Sequence, residues 1–459
     1  MAEVIKQGEK KPEDKGRKWI YPRLVKGKLY QYRSVVSYFL LALLFAAPFI
    51  RVNGEQLILL NVLERKFVFF GVIFWPQDFY LFVLALLTFI VFIVLFTVVF
   101  GRVFCGWACP QTIFLEMVFR KIENWIEGDF NQQKKLNEGP WTNQKIFKKA
   151  VKHTVFIATS FFIANIFLAY IIGTKTLLQI ISESPAQHLS GFVSIWLFTG
   201  VFYFVFSYMR EIVCTVVCPY GRLQGVLLDN QSMIVAYDYE RGEPRGKRVK
   251  NEVQAIGDCI DCKMCVQVCP TGIDIRQGTQ MECVNCTACI DACDAVMEKI
   301  DRPLRLIGFK SEEEIKTRKP FKFGKRVYGY AAVLVVMVTV LVTLLVRRSD
   351  VETTILRAAG TLYQLRDDKT VSNLYSAELV NKTNKAVDFQ IKPDDPKVKI
   401  QYIQSVMKVA GGESVKLTFF IIMPQNAVKE YKSELGFKLI SGTKVIDQFK
   451  TTFMAPPNS

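Results

Sequence analysis

The sequence predicts a multi-pass α-helical membrane protein with an inserted cysteine-rich α+β domain and a C-terminal β-sandwich. Three observations predict this fold class: five long apolar stretches, eight regularly spaced cysteines between Cys259 and Cys293, and a change after about residue 351 to short alternating runs. The chain of 459 residues is 51% hydrophobic and has a mean hydropathy of +0.21, a composition typical of membrane proteins.

The apolar stretches define the predicted membrane region. Each is about long enough to cross a hydrocarbon core ~30 Å thick as a helix. They cover roughly 34–50, 78–101, 151–172, 189–209 and 328–346. A further apolar stretch, 57–74, is interrupted by Glu64, Arg65 and Lys66. We interpret it as an interfacial or re-entrant piece, because three charges at the bilayer centre would be costly.

The distribution of Lys and Arg predicts how the spans are oriented. No cleavable signal peptide is visible in residues 1–33, so we expect the N-terminus in the cytoplasm. Five spans then leave 37 Lys and Arg in the inner segments and four in the short outer loops, which is the positive-inside pattern. The predicted divisions are a cytoplasmic segment 1–33, a four-helix membrane region 34–209, a cytoplasmic segment 210–327, a fifth membrane helix 328–346 and an outer domain 347–459.

The net charge of +17 does not indicate nucleic-acid binding. Residues 1–33 contribute +6 and residues 347–459 contribute +5, a bias that topology and the negative surface potential of membrane lipid explain. The cytoplasmic segment 210–327 is nearly balanced and has no run of interleaved basic and aromatic residues. We therefore expect membrane lipid, and no nucleic acid, as a partner.

Eight cysteines form two runs with the same spacing. The first run is C-x2-C-x2-C-x3-C followed by Pro270, and the second repeats that spacing. Thiolates spaced in this way hold iron–sulfur clusters, with three close cysteines around one cube and the fourth crossing to the neighbouring cube. We assign cluster 1 to Cys259, Cys262, Cys265 and Cys293, and cluster 2 to Cys283, Cys286, Cys289 and Cys269.

This insert, at about 250–300, is predicted to be a dicluster ferredoxin-like domain with two [4Fe–4S] clusters. Its role would be electron transfer, because thiolates saturate every iron and leave no open position. Zinc is the alternative metal for C-x2-C pairs, and two complete runs of four cysteines disfavour it. Asp294 stands after Cys293 where the bacterial ferredoxin run has proline, which leaves the loop around Cys293 less well defined.

The other four cysteines occur as two C-x3-C-P motifs, in the segments CGWACP and CTVVCP. The motifs follow the second and fourth apolar stretches, and their cysteines are 109 residues apart, so they are an internal repeat. Cysteines at i and i+4 share one helix face, and proline after the second cysteine favours a turn of the chain. These cysteines are Cys105, Cys109, Cys214 and Cys218.

Two such motifs at one depth could bring four thiolates together where membrane and cytoplasm meet. Low-coordinate thiolates suit a soft ion, above all Cu(I), so we predict a copper or redox site. A third cluster held by these four cysteines, or a redox-active thiol pair, is the main alternative. Ordinary burial of small cysteines in membrane packing is the third interpretation.

The sequence lacks the residues and motifs that other classes of cofactor need. The two histidines, His153 and His188, lie at opposite ends of the third and fourth spans and cannot both bind one membrane haem. We interpret each as a structural interfacial residue, with a ligand role as the alternative. No C-x-x-C-H, G-x-G-x-x-G or P-loop occurs in the sequence, so a c-type haem, a nicotinamide site and ATP hydrolysis are unsupported.

The C-terminal region has the pattern of a β-sandwich. Alternating runs such as LYSAELVN and ESVKLTFFIIM are separated by turn signals such as KPDDP and GGE. This predicts about seven antiparallel strands in a sandwich of immunoglobulin type. The region has no cysteine or histidine, so we interpret it as a docking or structural module.

Taken together, the chain resembles the FixG/CcoG-like cytochrome c oxidase accessory proteins of bacterial membranes over nearly its whole length. The resemblance is carried by NVLERKFVFFG, FWPQDFYLF, FCGWACPQTIFLEMVFRKIE, VCTVVCPYGRLQG and the cysteine insert. It implies a cupric reductase of the inner membrane that converts Cu(II) to Cu(I) for assembly of a cbb3-type oxidase. The implied partners are the oxidase subunits and copper-delivery proteins, with the C-terminal immunoglobulin-like domain in the periplasm.

The sequence leaves two other functions open. Polyferredoxin subunits of quinol-oxidising systems also carry CxxxCP repeats, so a quinol dehydrogenase subunit that passes electrons to a partner reductase is the alternative. A scaffold without redox chemistry would leave eight cluster-type ligands unexplained. The electron donor is not specified, and a homo-oligomer is left open.

Overall fold

The fold is described from a computed structural model. It describes residues 19–62, 66–246, 256–358, 362–366, 369–383, 385–403, 408–428, 430–442 and 444–456. Contacts divide the chain into two compact units, one made of 1–46, 85–169 and 175–338, the other of 47–84, 170–174 and 339–459.

The described chain runs from membrane-length helices through the cysteine insert to the C-terminal strands, the order that the sequence predicts. The α-helices are α1 (Lys28–Ala46), α2 (Phe79–Phe100), α3 (Val103–Trp107), α4 (Pro110–Ile113), α5 (Arg120–Glu127), α6 (Phe130–Glu138), α7 (Asn143–Ile172), α8 (Thr174–Ser182), α9 (Leu189–Phe204), α10 (Pro219–Leu227), α11 (Tyr239–Gly242), α12 (Met264–Gln267), α13 (Ala288–Lys299), α14 (Glu312–Thr317) and α15 (Lys325–Val346). The strands are β1 (Arg51–Val52), β2 (Glu55–Gln56), β3 (Ile58–Asn61), β4 (Lys66–Phe69), β5 (Val72–Phe74), β6 (Ile234–Tyr237), β7 (Ile307–Lys310), β8 (Val351–Arg357), β9 (Gln364–Leu365), β10 (Thr370–Asn381), β11 (Val387–Asp388), β12 (Gln390–Pro393), β13 (Lys399–Tyr402), β14 (Lys408–Val409), β15 (Ser414–Pro424), β16 (Lys432–Ser441) and β17 (Lys444–Met454).

Five helices in the described residues are long and apolar enough to cross a membrane. They are α1, α2, α7, α9 with its π-helical continuation to Met209, and α15. Their limits correct two of the predicted spans. Helix α1 begins six residues before the predicted span 34–50 and ends at Ala46, because Pro48 cannot continue a helix. Helix α7 begins at Asn143, eight residues before the predicted 151, so its first two turns are polar.

The stretch 57–74 differs from its prediction. Instead of a re-entrant piece, its described residues form the antiparallel sheet β3-β4-β5. Val68 and Ile73 are fully buried in a small core beneath this sheet. Lys66 pairs with Glu55 at 2.8 Å, and Glu64 and Arg65 lie outside the described residues. The apolar stretch 57–74 can fold as strands because each strand finds its pairing partner within the same short segment.

The C-terminal region forms the predicted sandwich. One sheet has the strand order β13-β15-β10-β8 with β9 also on β10, and a second has the order β12-β16-β17. Every pairing in both sheets is antiparallel. Tyr375 and Phe419 of the first sheet and Phe437 and Phe453 of the second are at most 1% exposed in one shared core.

In the first unit, one apolar core joins the helices and another supports the cysteine insert. Phe119 stacks on Phe206 at a centroid distance of 4.6 Å, between the start of α5 and the π-helical end of α9. The antiparallel pair β6-β7 closes the cysteine insert at its two ends, and Val235 and Ile307 are buried with its cysteines. The insert is therefore an α+β domain whose core is made largely of its own ligand-bearing segments.

Candidate iron–sulfur and thiol sites

Two cavities in the cysteine insert separate the eight cysteines into the two predicted sets. The two cavities are similar in size. The first is lined by Cys259, Cys262, Cys265 and Cys293, and the second by Cys269, Cys283, Cys286 and Cys289. Cys265 borders both cavities, which are therefore neighbours. The structure thus brings the fourth cysteine of each run to the cavity of the other run.

The two cysteine runs share a backbone conformation as well as a spacing. Asp261 and Asn285 occupy equivalent positions and both have left-handed φ, at 52° and 51°. Lys263 and Thr287 are also equivalent, with φ of 57° and 67°, and each is the N-cap residue of the helix that follows, α12 or α13. Left-handed turns curl the chain around each cavity, so that residues two or three apart can face one point.

The donors fit iron–sulfur clusters. Burial, with neighbouring thiols, raises the pKa of the Cys283 thiol to about 12 and the pKa of Cys289 well above its ordinary value. Thiolates in such a place need a bound cation to be stable, and metal binding releases their protons. In the described residues no three His, Cys, Asp or Glu side chains converge as single-ion ligands do. The cysteines instead surround cavities, as ligands of a multi-iron cube must.

The region around Cys293 is a helix and not a loop, which corrects the sequence prediction. Cys293 and Asp294 lie inside α13, which runs without a break from Ala288 to Lys299. A proline at 294 would interrupt this helix. Asp294 instead accepts a hydrogen bond from the backbone N–H of Arg305 at 2.8 Å. The departure from the ferredoxin pattern therefore keeps the helix intact and joins it to the following segment.

The two CxxxCP motifs have the same local geometry. The N–H of Cys109 bonds to the carbonyl of Phe104, and that of Cys218 bonds to the carbonyl of Val213, each an i to i−5 bond. Cys109 and Cys218 then cap α4 and α10. The spacing of the cysteines predicts that both lie on one α-helical face. This prediction is wrong, because each motif ends in a π-type turn that interrupts the α-helix. The proline that follows is the first helical residue, where its missing N–H costs nothing.

The four motif cysteines lie close enough to influence one another. Burial, with repulsion from Cys109 among smaller contributions, raises the pKa of Cys105 to about 11 and that of Cys214 to about 12. The Cys105 Sγ donates to Gln224 Oε1 at 3.1 Å, and Gln224 also accepts from the Arg102 guanidinium at 3.1 Å. Gln224 is completely buried. The structure thus joins Cys105 of the first motif to Gln224 of α10, the helix that follows the second motif, beside a fixed guanidinium.

Gly106 joins the first motif to the second cluster cavity. A Cβ at this position would lie 2.4 Å from the carbonyl oxygen of Val284 and 2.9 Å from the Cα of Cys286. Only glycine permits so close an approach. Arg33 fixes the contact from the other side, because its Nε donates to the Gly106 carbonyl at 2.7 Å. The backbone of the first CxxxCP motif is therefore next to the loop that carries Cys283 and Cys286, two predicted ligands of cluster 2.

Sequence reasoning missed several residues that organise these sites. Gly106 stands between two cysteines, where a glycine is itself a signal of close backbone approach. Asp291 lies between Cys289 and Cys293, and its carboxylate accepts from the N–H groups of Leu29 and Tyr30 at 3.2 and 2.7 Å. It thereby caps α1 from the ligand-bearing helix α13. No local pattern in the sequence predicts that pairing.

The two histidines are placed separately, as the sequence predicted. Tyr203 and the Nδ1 atom of His153 are 2.9 Å apart, near the start of α7. His188 precedes α9 and pairs with Glu183. Neither lies in either cysteine-lined cavity.

Two neighbouring cavities, each lined by one predicted set of four cysteine ligands, define an iron–sulfur electron-transfer protein. Comparison with known sequences agrees. Residues 209–312 match a family described as "4Fe-4S dicluster domain", and residues 82–131 match one described as "4Fe-4S binding domain". Residues 341–456 match the "IG-like fold at C-terminal of FixG", whose description names FixG as a candidate oxidoreductase. The chain belongs to the FixG family.

Individual relatives extend over most of the chain. RdxA and RdxB of Cereibacter sphaeroides are each 34% identical to it, over 389 and 391 residues, which is 82% of this chain and 82% of each relative. The nitrogen fixation protein FixG of Rhizobium meliloti is 36% identical over 302 residues, 64% of this chain. That alignment spans 57% of the FixG protein.

Proposed function

We propose that this protein is a membrane cupric reductase, in which electrons from the two clusters reduce Cu(II) to Cu(I) at the CxxxCP thiols. The observation that carries this proposal is the contact of Gly106 with the backbone of Val284 and Cys286. It leaves no room for an intervening side chain between the first motif and the cluster 2 loop. The resemblance noted from the sequence supplies copper as the substrate, and cbb3-type oxidase subunits and copper-delivery proteins as the partners.

The reaction needs one electron for each copper ion. When bound, the [4Fe–4S] clusters supply one-electron transfer. Cys105, Cys109, Cys214 and Cys218 would surround the site, and a low-coordinate pair of these thiolates would bind the ion, because soft donors favour Cu(I) over Cu(II). The product would leave by exchange to another thiol or thioether carrier. Arg102, bonded to Gln224 beside Cys105, would offset part of the negative charge of the thiolates.

The proposed topology places the clusters in the cytoplasm and the immunoglobulin-like domain in the periplasm. The positive-inside pattern supports it. The division into two units agrees with it, because the predicted outer segment 51–77 and the predicted outer domain fall in the same unit. Within that unit Asp78 accepts from Arg348 and Lys382, both at 2.5 Å. These ion pairs join the outer segment to the chain that follows the fifth span.

A third cluster at the motif cysteines is the second candidate. The match of residues 82–131 to a 4Fe-4S binding family favours it, because this range contains Cys105 and Cys109. In that case the chain would pass electrons to a partner reductase, as a quinol dehydrogenase subunit does. The two candidates predict different iron contents for the purified protein, because one has two clusters and the other has three.

The experiment compares the Cys109→Ser/Cys218→Ser double variant with wild type, both purified anaerobically. We expect iron and sulfide to stay near wild-type levels, because these cysteines are outside both cluster cavities. We also expect the dithionite-reduced variant to lose its reduction of Cu(II). Val216→Thr is the matched control, since it changes an exposed side chain of the same motif while keeping the thiols.

Two results would contradict the proposal. Loss of about a third of the iron would assign the four cysteines to a third cluster. Reduction of Cu(II) at the wild-type rate would show that copper reacts elsewhere.

A further inference from the structure

A cavity of about 600 Å³ lies between the first turns of α7 and the π-helical end of α9. We call it the α7–α9 cavity. Its lining combines aromatic side chains with a few charged ones, and its members include Trp19, Lys152, His153, Tyr203, Ser207 and Arg210. It contains no cysteine and has no part in the copper site proposed above.

The polar groups of the α7–α9 cavity are held in fixed positions. His153 and the hydroxyl of Tyr203 are in hydrogen-bonding contact at 2.9 Å. Arg210 pairs with Glu123 at 2.7 Å, and Lys152 pairs with the same carboxylate at 3.4 Å. Burial alone would raise the pKa of Glu123, but Arg210 and Lys152 outweigh it and lower that pKa. The cavity therefore offers an imidazole and a phenol beside several fixed cations.

The mouth of the cavity suits a ligand that comes from lipid. Phe204 and Tyr208 line it and are 50% and 52% exposed, although they belong to a helix apolar enough to cross a membrane. Aromatic side chains of this kind gather at the level of the lipid head groups. An apolar tail could therefore extend between them into lipid while a polar ring occupies the cavity.

The α7–α9 cavity shares a lining residue with a cavity that borders the predicted cluster 2 site. Glu123 lines the α7–α9 cavity and also a smaller cavity that Arg120 and Pro270 border. The Arg120 guanidinium donates to the carbonyl of Pro270 at 3.1 Å. Pro270 directly follows Cys269, which lines the cluster 2 cavity. A few buried side chains thus separate the two places.

We propose that the α7–α9 cavity binds a membrane quinol and is where electrons enter the protein. This inference rests on the function proposed above, for which it names the electron donor. Each quinol would give up two electrons and two protons to become a quinone, and the two electrons would leave singly and reduce two Cu(II) ions to two Cu(I). His153 is placed to accept the first proton, and the second would pass to water. The nearby Lys152 and Arg210 would favour the deprotonated form of the quinol.

A second apolar cavity, of about 390 Å³, is a poorer candidate for the same role. It is lined by Asn165, Trp196 and His188. Asn165 is twelve residues beyond His153 in α7, which is about 18 Å along a helix. None of its lining residues also borders the cavity next to Pro270, so it lacks the connection to the cluster 2 site that Glu123 gives the α7–α9 cavity. This cavity therefore provides a matched control.

The first test measures binding, which does not depend on the clusters. Full-length protein in detergent is titrated calorimetrically with decylubiquinone. We expect saturable binding to wild type, its loss in Ser207→Phe, whose ring would fill the cavity, and about a three- to tenfold weakening in Tyr203→Phe from the loss of one hydrogen bond. The control His188→Phe should bind as wild type does. Equal binding by Ser207→Phe and wild type, or loss confined to His188→Phe, would overturn the proposal.

The second test measures electron entry. Decylubiquinol is mixed anaerobically with each protein, and Cu(I) formation from added Cu(II) is followed with a Cu(I)-specific chelator. We expect Ser207→Phe to fail with the quinol but to reduce Cu(II) normally after dithionite treatment. If dithionite supports copper reduction in wild type and the quinol does not, the cavity holds something else, such as a phospholipid head group, and the quinol proposal fails alone. If neither reductant supports it, the cupric reductase proposal fails, and the binding test still decides the quinol site.

Discussion

Gly106 packs against the backbone of Cys286 with no space for a side chain, since an added Cβ would lie 2.9 Å from the Cα of Cys286. The two residues are 180 positions apart in the sequence. The contact places the first CxxxCP motif on the loop that carries Cys283 and Cys286. It joins the backbone of the first motif directly to the backbone of the cluster 2 loop.

Gly106→Ala should damage this connection. The added methyl group must move the backbone of either Val284 or Cys286, at a cost of roughly 1–3 kcal/mol. We expect slower Cu(II) reduction and weaker retention of cluster 2, measured by stopped-flow kinetics and iron analysis. Gly200→Ala is the control, because no atom lies within 4 Å of a Cβ there. A Gly106→Ala protein with wild-type rate and iron content would contradict the assigned contact.

The two cluster cavities predict the metal content. Anaerobically purified protein should contain about eight irons and eight sulfides if each cavity holds one cube. Cys265→Ser should lose iron, with the first cluster affected most, because Cys265 is a predicted ligand of that cluster and only borders the second cavity. Iron and sulfide assays with electron paramagnetic resonance would measure this. An iron-free protein that supports copper reduction in cells would show that the clusters are not needed.

Asp238 predicts how stability of the cysteine insert depends on pH. Its buried carboxylate accepts from Lys310 at 2.7 Å and Arg318 at 2.8 Å. Burial alone would raise its pKa, but these two cations outweigh it and hold the pKa below the ordinary value. The stabilisation is therefore fully present above the unfolded-state pKa of about 3.9 and is lost as the pH falls through the folded-state pKa.

Asp238→Asn tests this directly. Asp238 also accepts from the backbone N–H of Arg241 and so caps α11, a bond that the amide keeps. The amide removes the counter-charge of Lys310 and Arg318, which are 19% and 53% exposed, so we expect a loss of roughly 1–3 kcal/mol at neutral pH, less than for a fully buried pair. The gap between variant and wild type should narrow as the pH falls below about 4. Denaturant unfolding at several pH values measures both effects. A gap that stays constant down to pH 2 would show that the carboxylate charge does not stabilise the fold.

The orientation of the spans can be tested with reporters. The charge asymmetry predicts that alkaline phosphatase fused after Ser459 is active, because that enzyme needs the oxidising periplasm. A fusion within 210–327 should be inactive. Activity in the second fusion alone would reverse the orientation and place the clusters outside the cytoplasm.

The sequence alone determined the parts of this protein that depend on local pattern. Apolar length gave the five candidate spans, because crossing a membrane needs about 20 apolar residues wherever they occur. Cysteine spacing gave the two ligand sets, because three close cysteines and one distant cysteine can surround a cube only in a few ways. Alternation and turn residues gave the C-terminal sandwich.

The tertiary structure decided what depends on residues far apart in the chain. The contact of Gly106 with Cys286, the capping of α1 by Asp291 and the α7–α9 cavity each join segments separated by about 50 to 260 residues. The stretch 57–74 folded as strands that pair with one another, and the helix that contains Cys293 is joined through Asp294 to the backbone of Arg305, a contact that no local pattern predicts. Periodicity and spacing describe neighbours along the chain. Close packing between distant segments is set only when the whole chain is folded.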